Sequence, residues 1–322
     1  MAAVDIIIPL YNKEATVART IDSILKQTHQ DWRLVIVDDG STDNSVNIAR
    51  QFADARISVL QQANRGPGAA RNTGLNHADS AYIAFLDADD EWYPWYLENA
   101  LKAIQHSPVS FVGTFYEDWP QRKDMITYWA KRGVRPGIYE LNRRTTARDA
   151  LQKIFFFHVG NTLVRADTAK KYGGFYEEQK CLLGEDTVFF ARLAFNEPFL
   201  IIEPVAVRHN RQDSSLSNLT ERPLDIFLQK PQIILDYCSP QTKEYAHQVI
   251  AWHAWNVAHL RARAGNKADA LYLRDRFPQM KQFGFKYMRL CFEIYLSRWF
   301  PYWIKLKCLL AAPIKKRLKQ DS

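Results

Sequence analysis

Three carboxylates follow directly on an apolar run in Tyr82-Ile83-Ala84-Phe85-Leu86-Asp87-Ala88-Asp89-Asp90. An uninterrupted apolar run reads as a strand covered on both faces, and acids at its carboxyl end face the crevice in which open α/β sheets hold ligands. Hard oxygen donors one residue apart suit Mg²⁺ or Mn²⁺, which bind through one or two carboxylates together with a substrate's phosphates. The spacing therefore points to a nucleotide. A second reading needs no ligand: Asp89 or Asp90 caps a helix that begins near Trp92-Tyr93-Pro94.

The elements around these acids decide where they point. Val4-Asp5-Ile6-Ile7-Ile8 reads as a strand ended by Pro9, after which Ala15, Val17, Ala18, Ile21, Ile24 and Leu25 fall at helical spacing. Leu34-Val35-Ile36-Val37 runs into Asp38-Asp39-Gly40-Ser41-Thr42-Asp43, where Gly40 suits a tight turn and Asp43 is the expected cap of a helix carrying Val46, Ala49 and Phe52. A third strand, Ile57-Ser58-Val59-Leu60, leads to a Gly-preceded helix with Arg71, and the acidic strand comes fourth. Strand and helix alternate from the first residues, so the expected class is α/β, a wound, mostly parallel sheet with helices on both faces. No Gly-x-Gly-x-x-Gly follows the first strand, which argues against a dinucleotide-binding crossover.

Four stretches in order, Pro9-x-Tyr11-Asn12, Val37-Asp38-Asp39-Gly40-Ser41-Thr42-Asp43, Asn64-x-Gly66-x-x-x-Ala70-Arg71-Asn72-x-Gly74 and Leu86-Asp87-Ala88-Asp89-Asp90, resemble the family 2 glycosyltransferases of GT-A fold, of the type that builds bacterial surface polysaccharides. Gly184-Glu185-Asp186-Thr187 and the run from Arg208-His209 to Ser214-Ser215-Leu216-Ser217 resemble that family's later signatures, so the likeness extends from about residue 4 to 217 and stops before the last third. It implies an inverting, metal-dependent enzyme that moves a sugar from a UDP-sugar to a hydroxyl of a saccharide acceptor. A lipid-linked acceptor, in polysaccharide or lipopolysaccharide synthesis, is the contextual expectation. Two other classes stay open: a nucleotide-sugar-binding partner subunit without catalysis, and a membrane-surface or nucleic-acid-binding protein on an α/β scaffold.

The resemblance also distributes roles. Asp89 takes the metal, Mn²⁺ or Mg²⁺, with Asp87 assisting or binding the ribose and His209 as a candidate third ligand. Asp186 is the base that removes the acceptor proton, or alternatively an ordinary helix cap, and Glu185 is the fallback base. Pro9 and Tyr11 flank the nucleotide, with Tyr11 stacked on the base, while Asp39 accepts from a pyrimidine N–H or a ribose hydroxyl. Arg71 reaches the diphosphate, where its planar fork suits phosphate, or else makes a surface ion pair. Glu14 either contacts substrate or complements the dipole of the first helix. Either Arg208 or Arg211 contacts phosphate from a closing loop; here the chain departs from the family's aromatic-Arg-x-His form, since Val207 precedes Arg208 and His209 follows it directly.

At 322 residues, 47% apolar and 13% aromatic, the chain exceeds one ordinary domain. A catalytic domain over residues 1–220 and a helical region over 221–322 are expected. Residues 117 to 150, polar and Arg-rich with Gly133, Pro136 and Gly137 as turns, read as an insertion. Cys181, Cys238, Cys291 and Cys308 lie far apart without a Cys-x-x-Cys, which indicates neither a zinc site nor a disulfide framework. A strand beginning at about the fourth residue leaves no room for a secretory signal, so the catalytic lobe is expected in the cytoplasm.

The charge is lopsided. Residues 281–322 hold ten basic side chains against Glu293 and Asp321, which accounts for the whole net charge of +8. Phe283, Phe285, Tyr287, Phe292, Tyr295, Trp299, Phe300, Tyr302 and Trp303 lie among them. This is the composition of helices in an anionic bilayer interface, and the expectation is a protein peripheral to the inner face of the cell membrane. Glu293, Arg298, Lys305 and Lys307 interrupt any stretch of the roughly 20 apolar residues needed to span. A helical subdomain with solvated lysines is the alternative. Nucleic acid is disfavoured as a partner, although basic-aromatic mixtures also suit single strands.

Overall fold

The computed structural model describes residues 3–181, 183–213 and 223–296. The signature Ser214-Ser215-Leu216-Ser217 and the basic aromatic tail from Ser297 onward lie outside the described residues. Compact packing divides the chain into Met1–Ala246 and His247–Ser322.

The first unit is built on a nine-stranded sheet of order β3-β2-β1-β4-β8-β6-β9-β5, with β7 paired to β9. The strands are β1 (Val4–Leu10), β2 (Trp32–Asp38), β3 (Ile57–Gln61), β4 (Tyr82–Phe85), β5 (Glu91–Trp92), β6 (Phe111–Trp119), β7 (Gly137–Tyr139), β8 (Thr162–Arg165) and β9 (Phe199–Asn210). Four strands, β1 to β4, are mutually parallel, because each is followed by a crossover: α1 (Val17–Leu25) after β1, α2 (Ser45–Arg50) after β2 and α3 (Pro67–His77) after β3. Strand β8 enters antiparallel between β4 and β6, and β9 returns parallel to β6. The α/β class and the mostly parallel half-sheet are as the sequence predicts. So is the helical character of residues 226–296.

Helix α3 packs closely because Gly68, Ala69, Ala70 and Gly74 are small and buried, with Ala70 against Val35 and Val37 of β2 and Gly74 against β1. A Cβ at Gly74 would stand 2.4 Å from Ile7 Cγ2, inside any tolerable contact. That close approach fixes the first turns of α3, and with them Arg71, over the carboxyl end of the sheet.

Several local expectations are corrected. Pro9 does not end β1; it pairs with Val37 and the strand runs on to Leu10. Glu14 precedes α1 rather than lying in its first turn. Asp43 is not the capping position of α2, which is Asn44, although Asp43 Oδ1 accepts from Ser45 N at 3.0 Å. The stretch read as an insertion contains the end of β6 and all of β7, so part of it is sheet. Arg208 and His209 stand on β9, not on a loop.

The one charge in β1, Asp5, is fully buried. Its carboxylate accepts from Arg33 Nε at 2.7 Å, Arg33 Nη2 at 3.0 Å, Asp79 N at 2.8 Å and Ser80 N at 2.9 Å. Burial alone would raise its pKa, but the hydrogen bonds from Arg33, Ser80 and Asp79 outweigh it and hold the group below its ordinary 3.8. A lowered folded-state value means the contribution is complete above 3.8 and is lost as pH falls through the folded value. Asp5→Ala leaves two backbone donors unpaired and is expected to cost about 3 kcal/mol at neutral pH. Urea unfolding of both forms checks this, and the gap between them should close in acid.

The described residues of the second unit are helical. They hold the helix Lys267–Arg276, a 3₁₀ turn at Pro278–Phe283 and the helix Phe285–Leu296. Ala254, Ala258, Leu273, Met280, Leu290 and Ile294 are buried. Among the described residues, no helix is long and apolar enough to cross a membrane.

Candidate active site

A cavity of about 620 Å³ opens at the carboxyl end of the parallel strands. Its floor is made by the residues that follow β1, β2 and β4, and its sides by the N-termini of α3 and of the helix Glu185–Asn196 and by the end of β9. Ten residues singled out from sequence line it: Pro9, Tyr11, Asp39, Arg71, Asp87, Asp89, Glu185, Asp186, His209 and Arg211. Glu14 and Arg208 do not.

Carboxylate oxygens of Asp87, Asp89 and Asp90 lie within 4.8 Å of one another. Burial, then the charge of Asp87, raises the pKa of Asp89 against the pull of Lys13, whose Nζ is 2.5 Å from Asp89 Oδ2. Asp90 is pushed up to about 7 by burial and by Asp89 and Asp87, against His209 and the N–H of Asn210. Neither acid caps a helix. The next helix starts at Tyr96 with Trp95 at its capping position, and β5 intervenes, so the ligand-free reading of this motif fails. These three crowded hard-oxygen donors meet one ammonium, Lys13, and one guanidinium, Arg71, which is shared with Glu185, so four carboxylates stand against two cations, and that fits a divalent cation.

Arg71, buried in the second turn of α3, lines the cavity and makes ion pairs there. Its Nη2 donates to Asp87 Oδ1 at 2.7 Å and its Nη1 to Glu185 Oε1 at 2.8 Å, with the Phe175 ring 5.2 Å away. Its Nε is buried without a hydrogen-bond partner among the described residues. The guanidinium therefore clamps two carboxylates from different elements.

Gly184 adopts φ 86° at the head of the helix Glu185–Asn196, a conformation that glycine accepts at no steric cost. It turns the chain so that both following acids enter the cavity. Glu185 is buried against Arg71, and burial and the neighbouring Asp186 push it up to about 7. Asp186 is half-buried. Its Oδ1 accepts from Thr187 N at 2.6 Å, and its Oδ2 has no hydrogen bond among the described residues. Burial raises its pKa above 3.8 against the charge of Arg71.

The nucleotide side is organised by the first two loops. Asn12, at φ 51°, donates its N–H to Ser41 Oγ at 3.0 Å and accepts from Thr42 N at 2.8 Å, tying one loop to the other. Tyr11 is left 47% exposed at the cavity. Asp39 is buried and accepts from Gln62 Nε2, Arg65 N and Gly66 N at 2.8 to 2.9 Å, so it also braces the loop that precedes α3.

On β9, successive side chains face opposite ways. His209 faces the acids, with Nε2 3.0 Å from His158 Nδ1 and 3.5 Å from Asp90 Oδ2. Burial, with the nearby His209 and Arg211, drives His158 well below the ordinary histidine value. Arg208 faces away, its guanidinium 4.7 Å from the Trp119 ring and its Nε 3.4 Å from Glu117 Oε1. Of the two arginines offered for phosphate, Arg211 is the one at the cavity, with Nε 2.8 Å from Asp118 Oδ1. Glu14 instead accepts from Asn44 N and receives no role at the cavity. Lys13 and His158 also line the cavity without a role in the sequence reading, and Asp90, offered there as a helix cap, lines it too. Asp90 sits inside a motif already quoted and Lys13 directly follows another, whereas nothing local marks His158.

The sequence pattern of Glycosyl transferase family 2 matches residues 5–173. The glycosyltransferase EpsJ of Bacillus subtilis, whose function is uncharacterised, is 31% identical over 245 residues, covering 70% of this chain and 67% of its own length. UDP-Glc:alpha-D-GlcNAc-diphosphoundecaprenol beta-1,3-glucosyltransferase WfgD of Escherichia coli is 41% identical over 115 residues, 35% of this chain and 46% of that enzyme. This chain thus spans about half of that enzyme's length. Among solved structures, S. aureus TarS 1-349 in complex with UDP-GlcNAc superposes with a TM-score of 0.63 at 17% identity, over 91% of this chain and 81% of the other, a likeness of fold. With the matched pattern spanning more than half of its residues and the acids of that pattern gathered at one cavity, the chain belongs to glycosyl transferase family 2 and has the GT-A fold.

Proposed function

We propose that this protein moves a sugar from a UDP-sugar to a hydroxyl of a lipid-linked saccharide, with inversion at the anomeric carbon and with Mn²⁺ or Mg²⁺ held by Asp87, Asp89 and Asp90. The observation that carries the reading is the sharing of one cavity by these three carboxylates and by Asp186. A bound divalent ion supplies positive charge for a departing diphosphate. Asp186 takes the acceptor proton through its unpartnered Oδ2 as the hydroxyl attacks the anomeric carbon from the face opposite the nucleotide. Arg71 holds Asp87 and Glu185 in position, and Tyr11 offers a ring to the uracil. Support for the donor is the UDP-GlcNAc complex of the TarS fold relative, and support for the acceptor is the diphosphoundecaprenol substrate in the name of WfgD. We assign residues 1–220 to donor binding and catalysis and residues 221–322 to attachment at the cytoplasmic membrane surface, in line with an acceptor that resides there.

A donor screen by UDP release, with and without Mn²⁺, tests the reaction. Calorimetry tests the site: UDP should bind in the presence of Mn²⁺, and chelation or Asp89→Ala should each weaken it by about tenfold or more. UDP affinity indifferent to both changes would remove the metal from this account.

A further inference from the structure

One side of the helix Phe285–Leu296 is apolar and uncovered. Phe285 is 77% exposed, Met288 60%, Phe292 46% and Tyr295 63%, and steps of three, four and three residues put them on one face. The opposite face is pinned. Leu290 and Ile294 are buried, Trp255 Nε1 donates to Lys286 O at 3.1 Å, and buried Glu293 receives His259 and Arg289. The apolar face therefore cannot rotate inward without stripping buried Glu293 of its partners His259 and Arg289.

We infer that this face is the part of the chain that inserts into the interface of an anionic lipid bilayer. The inference deepens the proposed use of a lipid-linked acceptor and rests on it for its biological sense, though not for its physics. Charge complementarity selects the occupant. Residues 247–296 carry eight Lys and Arg against three acids, and residues 297–322 add seven against one. A second copy, or this chain's own tail laid over the stripe, would bring positive charge against positive charge. A surface that offers an apolar phase beneath negative headgroups matches both features.

Co-sedimentation of the full chain with vesicles decides it. The intact protein should pellet with mixed phosphatidylcholine and phosphatidylglycerol vesicles and much less with phosphatidylcholine alone. The double variant Phe285→Ser, Phe292→Ser should lose about tenfold or more in partition while its UDP binding and thermal midpoint stay unchanged, since both side chains are exposed. Phe285→Leu with Phe292→Leu should restore pelleting. No pelleting of the intact chain overturns the inference, as does a serine variant that pellets like the parent, because attachment would then lie elsewhere. Equal pelleting with neutral vesicles, or a serine-sensitive dimer by sedimentation velocity, also overturns it. Transfer only to water-soluble saccharides would sink the acceptor reading while leaving a positive vesicle result intact.

Discussion

Asp186→Asn is expected to lower sugar transfer by about 10³-fold or more while leaving UDP affinity close to that of the parent, because a base acts on the acceptor and not on the nucleotide. The structure separates this residue from its neighbour. Asp186 spends one oxygen on its own helix and keeps the other at the cavity, whereas Glu185 is committed to Arg71. Asp186→Asn should thus keep the parent's thermal midpoint, while Glu185→Gln should shift it. The pH profile gives an independent reading. A base must be ionised, and burial holds Asp186 above the ordinary 3.8, so the acid limb of kcat/KM should fall above that value. From an α-linked donor the product should be β. Transfer within a few-fold of the parent in Asp186→Asn, or an α product by NMR, would move the base elsewhere.

The parts of this site that were legible in sequence are those where one segment carries both element and chemistry. Strands β1, β2 and β4 are apolar runs that end in their functional residues, and the Gly-Ala face of α3 is written within eight residues. Elsewhere the decisive information is non-local. Asp90 looks like a cap until β5 appears between it and the next helix, and β5 exists only because Glu91 and Trp92 pair with β9, more than a hundred residues on. His158 meets His209 through the meeting of β8, β6 and β9, and a lone histidine gives no periodic signal. Taking residues 208–211 as loop removed the alternation that a strand imposes. With β9 in place, the choice between Arg208 and His209 follows from the two-residue period. Arg71 lines the cavity from α3, but its two partners come from two other parts of the chain, which no local pattern names.

Arg71→Met should produce the largest combined loss of stability and activity in the chain. The guanidinium is buried and bridges Glu185 and Asp87, so its removal leaves a buried carboxylate without countercharge, at a cost of about 3 to 5 kcal/mol. Glu185 already stands at about 7 with Arg71 beside it; without that cation it rises further and takes up a proton at neutral pH. A raised folded-state value means the stabilising balance is complete below the unfolded 4.5 and is lost as pH climbs through about 7. Glu185→Gln should flatten that decline, and the double variant Arg71→Met, Glu185→Gln should recover part of the stability lost by Arg71→Met alone, because the uncompensated charge is gone. It should not recover transfer. Asp87 remains unclamped, and misplacement of a ligand-holding carboxylate by about 1 Å costs on the order of 10²-fold in rate. Urea unfolding of the four forms across the acid-to-neutral range, beside UDP-release rates, separates the two effects. An Arg71→Met protein within about 1 kcal/mol of the parent would show that the clamp carries neither.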